Sequence, residues 1–564
     1  LKGLASSFYG NSSGGLINFQ TEFPESNIIN ISPEIIFGSN ELRKYSLKLS
    51  GKINSQSYLV SFNNLNYKGF REHSSRKTYL LNTVYRNNLS ENFLITAVIN
   101  YFNSPYLLNP GSLNEETAEQ NRNSAREINK LQGTGEKADQ FQSGLTLNFL
   151  EDDFNFTSTL YFIKRDLINP IPGRIINLNR KAGGLRSFVS KNFIVSNYDL
   201  KFSAGIDIEM QNDLRKEFVN NGLAHTNFTP DEIFEKLGYG NKLIDQEENV
   251  LGIGPFLSIQ ILLNNFGFLT GLRYDHNTFK VDTYTNNSGK RKMKQLSPSA
   301  GIFYKPSSNS KMYFNYSTSF QTPTTSELSN QPNVEGGFNP DLNPEKIFQL
   351  EFGSEYFFID LKTSISASAY YLNFRDLIIS YQVPDSEEFF FRNAGKAENK
   401  GMELMIETFP FNKIRSRISY SLMDFVFKDY PLEFNGEVYQ LAGNKVPGVP
   451  QQNFYFQIDY LNESGLTGNI NFHWVDKYFT NDFNGTPSGS QSAQNNFINE
   501  SYFKLNLRLG YKIIFNFLDA ELFTGINNLL DKKYNGSVVP NALGERYFEP
   551  APGRTWFAGF QINY

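Results

Sequence analysis

In Lys44–Lys52 the residues Tyr45, Leu47 and Leu49 alternate with Lys44, Ser46, Lys48 and Ser50, the two-residue period of a strand with one apolar and one polar face. The same alternation returns in Tyr198–Ile208, Leu361–Tyr371 and Phe503–Tyr511. Carried along the chain, it predicts about 22 strands, among them 92–101, 154–163, 187–195, 198–208, 251–263, 361–373 and 401–409. The gaps between them fall into two populations. Ile53–Gln56, Glu151–Asp153, Ser196–Asn197, Asn264–Asn265, Phe357–Asp360 and Pro410–Lys413 are short and mostly built from Asn, Asp, Ser and Pro, the residues of tight turns. Between them stand long segments such as 102–140, 209–250, 320–345, 425–452, 475–502 and 528–554. An even strand number with short turns on one rim and long loops on the other predicts an all-β fold, a transmembrane antiparallel β-barrel of about 22 strands. Its first strand runs outward and its long loops face the cell exterior.

Composition alters this picture little. A mean hydropathy of −0.42 and the lack of any apolar run of about 18 residues exclude a helical span, while a barrel shows lipid only alternate residues. Aromatic residues make up 15% of the chain, with 53 Phe and 31 Tyr against 2 Trp, so Phe and Tyr are expected to form the interfacial girdles. The net charge of −4 gives no nucleic-acid signature. With no cysteine, disulfides and thiolate metal sites are excluded.

Enzyme chemistry finds no support. His73, His225, His276 and His473 form no pair at a metal-binding spacing, and the glycines near Gly184 and Gly337 lack the lysine and serine of a phosphate loop. Asp385–Glu388 lacks calcium-loop spacing and reads as solvated loop charge. We therefore expect no catalytic residue, no metal site and no resident cofactor. Glu345 and Glu351 flank a strand whose Phe348, Leu350 and Phe352 share one face, which directs Glu351 to the lumen.

Five segments, in order, carry a family resemblance. They are LASSFYGNSSGGLINFQT at Leu4–Thr21, KGFREHSSRKTYLL from Lys68, SFQTPTTSEL with NPDLNPEKIFQLEFGSEY in Ser319–Tyr356, NAGKAENKGMELMIE at Asn393–Glu407, and GINNLLDKKY through PGR to the end in Gly525–Tyr564. Together they resemble the TonB-dependent outer-membrane receptors of the siderophore and iron-complex type. The resemblance implies that residues 1–24 are the C-terminal remnant of a plug domain and 25–564 the barrel. Gly10, Gly14 and Gly15 would permit tight turns, and Leu16–Phe19 a short strand packed inside. Since Leu1 is preceded by neither an initiator methionine nor a signal peptide, we expect a truncated start, with most of the plug and the motor-contacting box missing.

The resemblance further implies import of a ferric siderophore or similar iron complex, with iron present only as part of the transported chelate. It implies outer-membrane lipid and a TonB-type energising complex as partners, and a monomer. It also implies delivery to the barrel-assembly machinery through a C-terminal signal formed by Trp556, Phe560 and Tyr564. A passive outer-membrane channel, or uptake of cobalamin or an oligosaccharide, is the alternative.

Ligand candidates come from basic and aromatic residues of the long loops. Lys68, Arg71, Arg76 and Lys77 fall in the second loop, and Arg165, Arg174, Arg180, Lys181 and Arg186 in the fourth; arginine forks suit carboxylates and phosphates. Solvated loop charge is the competing reading of each. NPGSL at Asn109–Leu113, followed by Arg122 and Arg126, resembles a loop of receptors for ferric citrate and related complexes. Ser112 with Glu115, and Thr229 and Pro230 with Glu232, predict two short loop helices. Tyr106, Tyr478, Phe479, Phe483 and Tyr547 are candidates for stacking on a chelate.

Overall fold

In the computed structural model, all residues are described except 1–7, 12–14, 16, 24–28, 196–197, 285–286, 333, 384–385, 435, 463, 486–496 and 517. A single 22-stranded antiparallel sheet closes on itself. Its first strands are β1 Asn30–Gly38, β2 Leu42–Ile53, β3 Gln56–Tyr67, β4 Arg76–Asn88, β5 Phe93–Leu108, β6 Gly135–Leu150, β7 Phe154–Ile171 and β8 Arg174–Val195. There follow β9 Tyr198–Asn220, β10 Tyr239–Leu263, β11 Phe266–Thr283, β12 Gly289–Ser307, β13 Ser310–Gln321, β14 Glu345–Phe358, β15 Thr363–Tyr381 and β16 Phe390–Phe411. The last are β17 Ile414–Asp429, β18 Gln452–Leu461, β19 Leu466–Val475, β20 Tyr502–Ile514, β21 Asp519–Asn527 and β22 Thr555–Asn563. Closure joins β1 to β22 in the register Glu34↔Gln561 to Gly38↔Phe557. Ile31 and Tyr564 add reciprocal backbone bonds of 2.9 and 3.0 Å, so strands from the two ends of the chain meet on the tight-turn rim.

The alternation sorts side chains as the sequence predicts. Leu47, Phe62, Ile99, Phe162, Leu257, Phe314 and Leu522 lie exposed on the outer wall, where lipid rather than water is the solvent. On β10 the outward apolar residues run from Leu251 to Leu263; that is about 40 Å of strand, which a tilt near 45° turns into roughly 28 Å of bilayer. Above Leu251 the outward residues become polar, and Asn212 bonds Glu247 and Asn249 at 2.6 and 2.9 Å. Rings mark the edges of this band, among them Phe266 stacked on Tyr304 at 4.6 Å and Tyr316 edge-on to Phe348 at 5.5 Å. Trp556, Phe560 and Tyr564 are exposed on the last strand's side of the seam.

The wall stands taller than the alternation predicts. Expected strands 154–163 and 187–195 belong to β7 and β8, which continue to a two-residue tip at Pro172 and Gly173. Beyond the membrane both strand faces meet water or loops, so the apolar period ends while the hydrogen-bond ladder continues, as in Arg165↔Arg180 and Asp166↔Asn179. Arg165, Arg174, Arg180, Lys181 and Arg186 therefore sit on strands, not in a fourth loop. Tyr106 and Arg76 likewise belong to β5 and β4.

At the N-terminus, the described turn Phe8–Asn11 lies against the inner wall. Arg186 and Arg273 donate to the Phe8 carbonyl at 2.9 and 3.3 Å, and the Phe8 ring meets Phe256 at 5.7 Å. The expected strand Leu16–Phe19 does not form over Ile17–Phe19. No described edge pairs with these residues, Phe19 is 90% exposed, and an unpaired strand has too little to stabilise it. Gly14 and Leu16 lie outside the described residues, as does the turn Ser196–Asn197.

Candidate functional site

Above the apolar band, the inner faces of β8, β9 and β10 carry charges that pair across the ladder. Arg215 lies between Glu217 at 2.9 Å and Glu248 at 3.0 Å, with exposures of 2%, 1% and 0%. Arg174 reaches Glu217 at 3.0 Å, and Arg180 holds both oxygens of Asp213 at 2.8 and 2.7 Å. The segment 322–344 covers this ladder. Its short helix Thr325–Ser329 is closed by a capping box in which Thr324 and Glu327 exchange bonds of 3.2 and 2.7 Å. From that helix Thr325 bonds Asp213, Ser326 receives Arg215 at 2.6 Å, and Ser329 donates to Glu248 at 2.8 Å. Leu328 anchors it among Phe279, Met293, Phe320 and Leu342. The TPTTSEL and NPDLNPE motifs are thus a lining stapled onto a charged wall.

The long loops are cross-linked over the lumen. Arg126 of the 109–134 loop places its two terminal nitrogens on the two oxygens of Glu387, each at 2.9 Å. Arg546 of the 528–554 loop grips the same carboxylate at 2.8 and 3.1 Å. The 109–134 loop joins β5 to β6, and 382–389 joins β15 to β16. Ten strands separate them around the 22-strand ring, so this contact crosses the mouth almost along a diameter. Neighbouring ties reinforce it: Leu113 bridges Phe548, Asn541 donates to the Ser380 carbonyl at 3.1 Å, and the Leu543 amide donates to Gln382 at 2.8 Å. Burial pushes the Glu387 carboxyl up, but hydrogen bonds and charge from Arg126 and Arg546 outweigh it and hold it below the usual range. Beside it, burial raises Glu388 despite its pairing with Arg174.

Three cavities open around these contacts. One of about 360 Å³ lies above the N-terminal turn, lined by Asn11, Arg180, Glu209, Arg273, Asp275 and Thr324 among others. A second, of about 590 Å³, is lined by Arg174, Glu335, Glu387, Glu388 and Phe390. A third, of about 500 Å³, presents Tyr381, Phe434, Phe483, Phe497 and Tyr547 with Arg392 and Asp482. Asp482 is raised by burial and receives the Tyr430 hydroxyl at 3.0 Å.

The structure separates the candidate residues. Arg180, Arg174 and Tyr547 line cavities, and Arg76 lines a fourth of about 310 Å³ with Tyr67 and Trp556. Arg126 belongs to the clasp on Glu387. Arg71 is buried and donates to the Ser124 carbonyl at 3.0 and 2.9 Å; desolvation pushes it down to about 10. Arg122 ties the Ala118 carbonyl to that of Tyr534. Tyr106 is buried against Ile175, Ile233, Phe234 and Leu237, and Tyr478 against Val475 and Tyr502. These four hold loops together and reach no described cavity.

Two further expectations need correction. The charges at Glu387 and Glu388 are ion-paired rather than solvated, with Asp385 outside the described residues. The first loop helix, Glu115–Gln120, is capped by Asn114, whose side chain accepts from Thr117 at 3.0 Å, instead of by Ser112. The second helix, Pro230–Ile233, does use Thr229 and Glu232. Sequence reasoning missed Glu387, Arg392, Arg546 and Asp482, whose contacts join segments far apart in the chain.

Residues 58–529 match the family model described as TonB dependent receptor-like, beta-barrel. The chain is 26% identical over 300 residues to the ferrioxamine B receptor of Salmonella typhimurium, a match covering 52% of this chain and 38% of that receptor. It is 24% identical over 367 residues to the vitamin B12 transporter BtuB of Vibrio vulnificus, covering 65% of this chain and 50% of that protein. The matches thus span half or less of these relatives. Among solved structures, the unliganded ferric citrate transporter FecA superposes with a TM-score of 0.80 at 17% identity, over 100% of this chain and 83% of that one. The ferric-catecholate import receptor Fiu of E. coli K12 gives 0.76 at 14%, over 100% and 85%. With its closed 22-strand wall, stapled inner lining and a family match across most of its length, the chain belongs to the TonB-dependent receptor β-barrels of the bacterial outer membrane.

Proposed function

We propose that this barrel serves an outer-membrane receptor that imports a ferric siderophore or similar iron complex, energised by a TonB-type complex at the inner membrane. The observation that carries this reading is the mouth itself. Loops from opposite sides of the ring meet on Glu387, and two cavities open beside that contact, one of about 500 Å³ lined by Tyr381, Phe483, Tyr547, Arg392 and Asp482 and one of about 590 Å³ lined by Arg174, Phe390, Glu335 and Glu388. These volumes suit a compact organic ligand, and locked loops suit a gated receptor better than an open diffusion channel. A ferrioxamine B receptor, a ferric citrate transporter and a ferric-catecholate receptor among the relatives and neighbours support iron chelates as the class. The vitamin B12 transporter marks the competing cargo.

In this reading the chain binds and admits, without catalysis or a resident cofactor, and iron enters only as cargo. The barrel works as a monomer in outer-membrane lipid. Its outward Trp556, Phe560 and Tyr564 present the assembly signal. Titrating the full-length gene product with ferric citrate, a ferric trihydroxamate, a ferric tricatecholate and cyanocobalamin, followed by iron uptake with and without the inner-membrane motor, tests the assignment. Motor-dependent uptake of one iron chelate is expected. Tight cobalamin or oligosaccharide binding with none for iron complexes overturns the cargo, and steady conductance in planar bilayers overturns the gate.

A further inference from the structure

Two arginines from separate loops converging on one carboxylate make a receptor for an anion, and here the anion is the protein's own. Arg126 and Arg546 each present two terminal nitrogens to Glu387, giving four contacts between 2.8 and 3.1 Å. This is the fork geometry by which guanidinium groups hold carboxylates and phosphates. The three side chains are partly exposed, at 16%, 22% and 29%, so solute can reach them. Glu387 also lines the 590 Å³ cavity, beside Arg174, Glu335 and Glu388, so solute entering that cavity meets the clasp from its carboxylate side.

We propose that Arg126 and Arg546 are the anion-receiving pair of the vestibule and that Glu387 occupies them as a built-in competitor. A carboxylate-bearing metal chelate displaces Glu387 and frees the 382–389 loop from the 109–134 loop, while the Leu543 amide on Gln382 still ties it to the 528–554 loop. The proposal rests on the iron-chelate reading and specifies which chelates, the anionic ones, and how their arrival is registered. Selectivity follows from competition: a neutral chelate makes no charge-assisted contact with the arginines and has nothing to offset displacement of Glu387, whereas a polycarboxylate replaces one anion with another. A ligand shifts a two-state element only through its differential affinity for the two states, and here that difference is whether the ligand can substitute for the Glu387 carboxylate.

The test uses Glu387→Gln, Arg126→Gln and Arg546→Gln in the full-length protein, titrated with ferric citrate, iron-free citrate and a neutral ferric trihydroxamate. Because the chain has no cysteine, spin labels at Glu127→Cys and Ser386→Cys read the separation of the two loops directly. Glu387→Gln is expected to tighten ferric citrate binding about tenfold and leave the trihydroxamate unchanged, because it removes a charged competitor and leaves a weaker neutral one. Arg126→Gln or Arg546→Gln weakens citrate by at least a similar factor. Ferric citrate lengthens the label distance in the wild type, and Glu387→Gln lengthens it without ligand. Equal or weaker citrate binding by Glu387→Gln, or a label distance that citrate leaves unchanged, overturns the proposal. Iron-free citrate matching ferric citrate in both readouts keeps the anion site but removes metal recognition from it. If no iron complex binds any variant while Glu387→Gln and iron-free citrate still separate the labels, the import reading fails and the clasp stands.

Discussion

Replacing Arg215 by alanine should release the lining segment 322–344 from the wall while leaving the barrel intact. Arg215 is the cation shared by Glu217 and Glu248, and its third nitrogen donates to Ser326 at 2.6 Å. After Arg215→Ala, Glu217 retains Arg174 at 3.0 Å, but Glu248 keeps only neutral donors, Gln246 at 2.7 Å and Ser329 at 2.8 Å. Removing one partner of a buried ion pair costs about 3–5 kcal/mol, because the remaining charge stays desolvated without compensation. The backbone ladder of β9 and β10 loses nothing, so the cost falls on the docked helix Thr325–Ser329. Hydrogen exchange in nanodiscs, read by mass spectrometry, should rise by roughly two to three and a half orders of magnitude across the described residues of 322–344, since each 1.4 kcal/mol is about a factor of ten in local opening. Removing all three charges at once, as Arg215→Met with Glu217→Gln and Glu248→Gln, should cost far less, because no uncompensated ion remains. Exchange within threefold of wild type in Arg215→Ala, or a triple variant as damaged as the single one, would refute the reasoning.

Leu328→Ala deletes a fully buried side chain packed on Phe279, Met293, Phe320 and Leu342 and should cost about 2–5 kcal/mol of the same docking, seen as proteolytic cutting near 325–330. Gly111→Ala forces a side chain onto a backbone at φ +73, with its Cβ 2.8 Å from Arg126 Cδ; labels at 127 and 386 should report a loosened clasp. Glu387 is held below its ordinary value of 4.5. The clasp is therefore complete above that value and lost only as pH falls through the depressed one, whereas the raised Glu388 uncouples from Arg174 earlier in the same acid titration. Loop separation already at pH 6 would contradict that order. Replacing Trp556, Phe560 and Tyr564 together by alanine should lower the amount of barrel assembled in the outer membrane, measured by heat-modifiable mobility, with little change in the folded protein's melting temperature.

The barrel was legible because its signal is local. A strand that offers lipid every second residue writes its own period into Leu47–Leu49 or Phe503–Leu509, and a turn such as Asn264–Asn265 needs only two residues of the right type. Once the wall leaves the membrane that signal stops. This is why the alternation predicts only short strands within β7 and β8 flanking a loop, and places Arg174 and Arg180 on that loop rather than on the inner wall. Aromatic and basic loop residues carried the least information, since Tyr106 and Tyr478 bury as loop anchors while Tyr547 faces a cavity, and nothing in their neighbours distinguishes them. Glu387 reads as solvated in the sequence because its partner Arg126 lies 261 positions away, a distance over which no periodicity operates.

The same distinction explains why the family's motifs identify the architecture but not the cargo. Asn528 closes a turn by accepting from the Lys532 amide at 2.9 Å, and Asp531 accepts from the Arg554 amide at 2.7 Å, so the N-L-x-D-K and P-G-R segments hold each other. A side chain on Gly553 would stand 2.6 Å from Asp531 Oδ1, so a substitution there has to shift the carboxylate that accepts from the Arg554 amide. Asn393 and Asn343 exchange bonds of 2.9 and 2.7 Å, joining NAGK to NPDLNPE. These residues act on other parts of the same chain, and any receptor that must hold long loops over a wide lumen needs such staples whatever it carries. The residues free to distinguish one cargo from another are those between the staples, and among them Arg126, Glu387 and Arg546 already form a contact that an incoming anion could break without disturbing the wall.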